Sequence, residues 1–219
     1  RVYLDGKPIG GHYDAFTPFD IVTDDLAPGR HEIVVAVDNS FGPESALHIE
    51  NDYYSYGGLT RPAEIQRLPE VYLESISATP RLAAGAWRLD IRARVRNRSR
   101  SRQSREIGAS LPALGIAADI GAFDLEPGER GEARWEIEAD GAVPWSAESP
   151  QLYSLRVALF DDGAIADDMI ERIGFREVKT RGKKILLNGR PVRLRGYNRH
   201  EDHPQFGCAI PVEAMMADL

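Results

Sequence analysis

The chain has a single cysteine, Cys208, among 219 residues. An internal disulfide is therefore impossible, which excludes a disulfide-stapled scaffold and fits a reducing, cytoplasmic setting. No run approaches the ~18–20 apolar residues that a membrane-spanning helix needs, so no membrane partner is expected. No signal-peptide pattern opens the chain either; Arg1-Val2-Tyr3-Leu4 reads as an interior strand. Positive charge is in deficit: 27 Lys and Arg stand against 34 Asp and Glu, for a net charge of -7. That balance argues against nucleic acid as a partner. Long segments of helical period are almost missing. What is present is 42% hydrophobic and 28% charged, the composition of a globular protein.

Short apolar stretches recur throughout, split by Gly, Pro, Asp and Asn, and this predicts a mainly β fold. In residues 1–70, Asp5-Gly6 between apolar runs signals a hairpin turn. Ile33, Val34, Val35 and Val37 read as a buried strand after a Pro28-Gly29 turn. "ENDYYSYGGLTRP" reads as a tyrosine-rich loop, and "AEIQRLP" as a strand. Residues 71–174 hold seven strand candidates in about a hundred residues, the pattern of an immunoglobulin-like β-sandwich. In "WRLDIRARVRN" the alternation is clean: Trp87, Leu89, Ile91, Ala93 and Val95 face one way, with Arg88, Asp90, Arg92, Arg94 and Arg96 opposite. The arginines that follow lie in a Ser/Arg loop without aromatics to stack bases.

Residues 175–219 change character. "KKILLNGRPVRLRGYN" predicts a hairpin turned by Asn188-Gly189. A charged loop, "NRHEDHPQFG", comes next. "PVEAMMADL" then predicts a helix, with Pro211 in its first turn and Val212, Met215, Met216 and Leu219 on one face. Strand, loop and helix make the first unit of an α/β fold, yet a complete (β/α)8 barrel needs ~250 residues. The expectation is a fragment cut inside domains at both ends.

The charged loop holds the densest chemistry. The helical zinc pattern H-E-x-x-H would need a second histidine where Pro204 stands, so zinc is excluded. Pro204 biases His203 towards an extended backbone, so His200 and His203 need not point together. Arg195, Arg199, Glu201 and Asp202 read as a salt-bridged frame for the loop. Position alone leaves two readings of His200 open: a loop histidine held by neighbouring backbone, or a polar contact for a ligand. Asp52 is likewise open between capping its own turn and binding a ligand. Tyr53, Tyr54 and Tyr56 suit either sugar stacking or a β-core, and Gly57-Gly58 reads as a turn.

Three stretches together resemble glycoside hydrolase family 2, the β-galactosidase and β-glucuronidase family. They are "VYLDGKPIGGHYDAFTPFDI", "DYYSYGGLTRP" and "IGFREVKTRGKKILLNGRPVRLRGYNRHEDHP". The resemblance implies three parts: the C-terminal part of a galactose-binding-like jelly-roll (1–70), the immunoglobulin-like sandwich (71–174), and the start of a truncated TIM barrel (175–219). "VRLRGYN" would be the first barrel strand. The implied activity is that of a retaining glycosidase on terminal β-linked sugars, a β-galactosidase first, with a β-glucuronidase or other family 2 glycosidase as the alternative. A non-catalytic carbohydrate-binding or interaction sandwich is the reading from another class. Retaining glycosidases use two carboxyl groups about 5–5.5 Å apart. In the family both are glutamates on later barrel strands, so no catalytic residue is expected here and the chain alone should be inactive. Glu201 has no evident partner carboxylate. The resemblance makes His200, in "NRHE", a substrate contact, and gives Asp52 a sugar hydroxyl to bind. It also implies a magnesium or sodium ion in the parent protein, a carbohydrate substrate, and a homo-oligomer.

Overall fold

The computed structural model describes residues 1–14, 16–24, 26–43 and 54–218. The fold is mainly β and divides into two compact units. One joins Arg1–Ile65 to Tyr197–Leu219; the other is Gln66–Gly196.

In the first unit a sheet of order β2-β1-β3 joins β1 (Val2–Leu4), β2 (Lys7–Gly10) and β3 (Ile33–Val35), all antiparallel. Asp5 and Gly6 turn β1 into β2 with φ of 48° and 74°. Two successive left-handed residues are what a tight I′ hairpin turn requires. The Asp5 carboxylate accepts from the Glu32 amide at 2.9 Å and meets His31 Nδ1 at 2.7 Å, while His31 Nε2 lies 2.7 Å from the Ala27 carbonyl. The expectation of a buried strand at Ile33–Val37 is corrected. Ile33, Val34 and Val37 are 49%, 44% and 48% exposed. A sheet face is buried only where a second layer covers it, and the described residues bring none to this one. "AEIQRLP" is irregular and Ile65 is exposed, because no neighbouring strand supplies it a ladder.

The second unit is a two-layer sandwich. One sheet has the order β4-β5-β8, from β4 (Val71–Ala83), β5 (Ala86–Asn97) and β8 (Arg130–Glu138). The other runs β10-β9-β6-β7, from β6 (Gln103–Leu111), β7 (Ile116–Leu125), β9 (Tyr153–Asp161) and β10 (Ala164–Ile173). All seven expected strands form. The alternating face of β5 goes inward: Leu89, Ile91, Ala93 and Val95 are at most 2% exposed and meet Leu155, Val157 and Leu159 of β9 in one core. Phe175, fully buried, packs between Trp87 and Tyr153 with ring centroids 5.8 and 5.5 Å away. The outward arginines of β5 are matched by glutamates of β8. Arg88 bonds Glu136 and Glu138, and Arg92, Arg94 and Arg134 converge on Glu132. Those guanidinium groups, Arg134 first, hold the Glu132 carboxyl below its ordinary range.

Asn97, at the end of β5, is wholly buried. Its Nδ2 donates to the carbonyls of Ser101, Leu125 and Glu126 at 2.9–3.1 Å. Its Oδ1 accepts from the Ser99 amide and hydroxyl at 2.9 and 2.7 Å. One side chain thus satisfies the polar backbone where two loops meet the core.

The same unit ends in a small sheet, β11-β12-β13 (Val178–Arg181, Lys184–Leu187 and Arg190–Pro191). Asn188 and Gly189 form its second turn, with φ of 50° and 78°. The Asn188 side chain accepts from the Glu177 amide and donates to the Trp145 carbonyl, which ties the hairpin to the sandwich. The expected barrel strand "VRLRGYN" is not formed: the sheet ends at Pro191, with one further bond from the Val192 amide to the Ile185 carbonyl at 3.0 Å. A parallel strand takes its ladder bonds from neighbours across long connections, and the described residues offer it no parallel neighbour.

Candidate functional site

The charged loop belongs to the first unit and packs on the tyrosine-rich segment of the same unit. Its centre is a tight turn. The His203 amide donates to the Gly207 carbonyl at 3.1 Å, and the Gly207 amide donates back to the His203 carbonyl at 2.8 Å. The Gln205 amide donates to His203 Nδ1 at 3.1 Å, and the His203 ring stacks on Phe206 with centroids 4.8 Å apart. His203 is therefore a turn-forming side chain. The turn closes with Gly207 at φ +54°, a left-handed conformation that favours glycine.

Two side chains from residues 54–61 grip this turn from outside. The Tyr56 hydroxyl donates to Asp202 Oδ1 at 2.6 Å. Its ring lies against Gly207, where a β-carbon would sit 3.1 Å from ring atoms. The Asp202 carboxylate, as acceptor, pushes the Tyr56 phenol up to about 12. Arg61 Nη2 donates to Glu201 Oε2 at 2.8 Å, and its Nη1 donates to the carbonyls of Thr60 at 2.9 Å and Cys208 at 3.3 Å. The two grips are nested: Tyr56 spans 202 and 207, and Arg61 spans 201 and 208. Behind the loop, Arg199 donates to the Asp218 carboxylate through Nε at 3.1 Å and through Nη2. Asp218 caps the C-terminal end of α1 (Val212–Ala217). Pro211 stands at the N-cap of that helix, one position before the expected first turn, with extended backbone.

The expected frame thus holds for Arg199, Glu201 and Asp202, each engaged by a partner of opposite charge or by a hydroxyl. Burial, with the Asp202 and Glu201 charges, raises the Cys208 thiol. A raised thiol stays protonated and is a poor nucleophile. His200 is exposed at the mouth of the gripped loop, one residue before Glu201. Asp52 and Tyr53 lie outside the described residues. Tyr54 is 77% exposed and Tyr56 41%, so a place in a β-core is corrected for these two rings. A cleft of about 320 Å³ opens between Tyr56, Leu59, His203 and Phe206. Among the described residues no three His, Cys, Asp or Glu side chains converge as an ion site would need. Nor does any helix among them have the length and apolarity to cross a membrane.

Arg61 was not singled out by the sequence reasoning. Its partners in the charged loop lie 140 and 147 residues away, and a contact that distant leaves no local pattern. The available signal was complementarity: a lone arginine after the glycine turn and adjacent acids in the charged loop.

Comparison with known proteins adds an independent line. The family model "Glycosyl hydrolases family 2" matches residues 71–176, and "Glycosyl hydrolases family 2, TIM barrel domain" matches residues 178–219. A relative from Formosa agariphila is 31% identical over 214 residues, which is 96% of this chain and 26% of the relative. The β-galactosidase of Streptococcus thermophilus is 26% identical over 222 residues, covering all of this chain and 21% of that enzyme. The crystal structure of a β-galacturonidase from Eisenbergiella tayi, bound to galacturonate, superposes with a TM-score of 0.90. It is 45% identical and covers 99% of this chain and 38% of its own. This chain spans about a quarter of the length of the curated relatives it matches. The two consecutive family matches, the first of them over the sandwich, and the agreement in structure have one conclusion: the chain belongs to glycoside hydrolase family 2.

Proposed function

We propose that this chain is part of a retaining β-glycosidase that hydrolyses terminal β-linked sugars of the galacto series, with His200 and Asp52 as sugar contacts. The observation that carries this reading is the 45% identity to the Eisenbergiella tayi β-galacturonidase over 99% of the chain. Identity to the Streptococcus thermophilus β-galactosidase is 26%. β-Galacturonides and β-galactosides share an axial C4 hydroxyl and differ at C6, so both belong to the substrate class. An exposed imidazole such as that of His200 can donate to or accept from a sugar hydroxyl. The carboxyl pair that protonates the leaving oxygen and forms the glycosyl-enzyme intermediate is assigned to parts of the protein beyond these residues.

The test is a panel of 4-nitrophenyl β-D-galacturonide, β-D-galactoside and β-D-glucuronide offered to the intact protein. The expected result is turnover of a galacto-configured substrate with retention at the anomeric carbon. Preference for the glucuronide would move the assignment to the alternative sugar, and silence on all three would sink it. The 219-residue chain alone should turn over none of them. Activity there would place the carboxyl pair inside it.

A further inference from the structure

We propose that Tyr56 and Arg61 are positioning residues for His200: from the tyrosine-rich segment they clamp the neck of the charged loop and set where the imidazole stands. This inference rests on the reading of His200 as a sugar contact. The carrying observation is the nesting. Tyr56 touches 202 through its hydroxyl and 207 through its ring, while Arg61 touches 201 and 208. Both strands of the loop are therefore held in register on each side of the His203–Gly207 turn. His200 is the residue directly outside that neck. A shift of Glu201 or Asp202 is passed to it through one or two peptide units, which are planar and stiff.

Stability does not account for the arrangement. The Arg61 and Glu201 side chains are 57% and 43% exposed, and ion pairs of that exposure add little to folding. The contacts act on geometry. They fix a loop that has no regular ladder beyond one bridge, and a site contact must be held within a fraction of an ångström to be productive. The residues that do this come from the segment of the first unit that ends with Ile65. That makes the segment carrying Tyr56 and Arg61 part of the site's geometry.

The experiment is a double-mutant cycle in the intact enzyme. It compares Tyr56→Phe, Arg61→Ala, Arg61→Lys and His200→Ala, alone and combined, on the galacto-configured substrate. Tyr56→Phe and Arg61→Ala should each lower kcat/KM by about tenfold, inside the ~10²-fold that a 1 Å misplacement can cost. Arg61→Lys should restore only part of that loss, because an ammonium cannot span Glu201 and the Cys208 carbonyl as a guanidinium does. Melting temperatures should stay within about 2 °C of the parent, as for exposed pairs. In the His200→Ala background the Tyr56 and Arg61 effects should nearly vanish, the non-additivity of residues acting through one group. Full additivity with His200→Ala, or no loss from either clamp variant, would overturn the proposal and leave the reading of His200 standing. If His200→Ala itself leaves kcat/KM unchanged, that reading falls and the proposal with it. Should Arg61→Ala fail to fold, the Tyr56→Phe and Arg61→Lys cycles decide alone.

Discussion

The Asp167 carboxylate on β10 accepts a 2.7 Å hydrogen bond from the backbone amide of Leu73 on β4, and so joins the two sheets of the sandwich edge to edge. Both strands lose their regular register there, between Leu73 and Ser75 and between Ile165 and Asp167. A bulge frees an amide from its ladder, and the carboxylate takes it up. Asp167 is part-buried, and desolvation outweighs its backbone hydrogen bonds, so its carboxyl titrates above the ordinary range.

A raised carboxylate is a group whose charge costs the fold. Its contribution is most favourable below the unfolded value near 3.8 and is lost as pH rises through the folded value. Asp167→Asn, which keeps an acceptor for Leu73 and drops the charge, should therefore be more stable than the parent at pH 7. The gain should shrink on acidification towards pH 4. Asp167→Ala should instead lose about 1–3 kcal/mol by orphaning a buried amide. Urea denaturation at several pH values separates the two; an Asn variant that loses stability at pH 7 would contradict the desolvation argument.

His31 makes the opposite kind of pH signal. Both ring nitrogens face acceptors, the Asp5 carboxylate and the Ala27 carbonyl, and these raise its pKa above 6.5, the Asp5 bond most. Stability from this bridge is present in full below pH 6.5 and is lost as pH rises through the folded value. NMR titration of the imidazole should place its midpoint above 6.5. Asp5→Asn should bring the midpoint back towards that value; an unmoved midpoint would show that Asp5 is not its cause.

Asn97→Ala strips five hydrogen bonds at once from a fully buried site. The expected loss is about 2–4 kcal/mol, since orphaned buried groups cost ~1–3 kcal/mol each. Asn97→Asp should be comparably damaging, because a carboxylate cannot donate to the three carbonyls. Chemical denaturation of the chain measures both, and a change below about 0.5 kcal/mol, the size of a neutral surface substitution, would refute the hub role.

Phe175 closes the sandwich between Trp87 and Tyr153. Phe175→Ala should cost about 3–5 kcal/mol, the usual range for a buried aromatic cut to methyl. Phe175→Leu should recover most of it. Near-ultraviolet dichroism of Trp87 should weaken in the Ala variant; unchanged spectra and midpoint would mean the cavity collapses at no cost.

The sandwich was legible in the sequence because its information is local. Alternation along β5 names the buried face residue by residue, and Asn188-Gly189 names its own turn. The readings that changed share a physical reason. Ile33–Val37, "AEIQRLP" and "VRLRGYN" carry strand-like composition, but strand propensity expresses packing against neighbours rather than the backbone itself. Without a covering layer or a flanking ladder those stretches are exposed or irregular. At the site, the frame of Arg199, Glu201 and Asp202 was readable from charge density. The identity of its partners was not, because Tyr56 and Arg61 precede it by 146 and 140 residues in the sequence.

That separation has a consequence during synthesis. Tyr56 and Arg61 leave the ribosome with nothing to hold, because Asp202 and Glu201 follow 146 and 140 residues later. At ~5–20 residues per second the wait is roughly 7–30 s, ample time for the intervening sandwich to fold first. The contacts of the tyrosine-rich segment with the charged loop are then late ones, made after the sandwich between them in sequence has been synthesised.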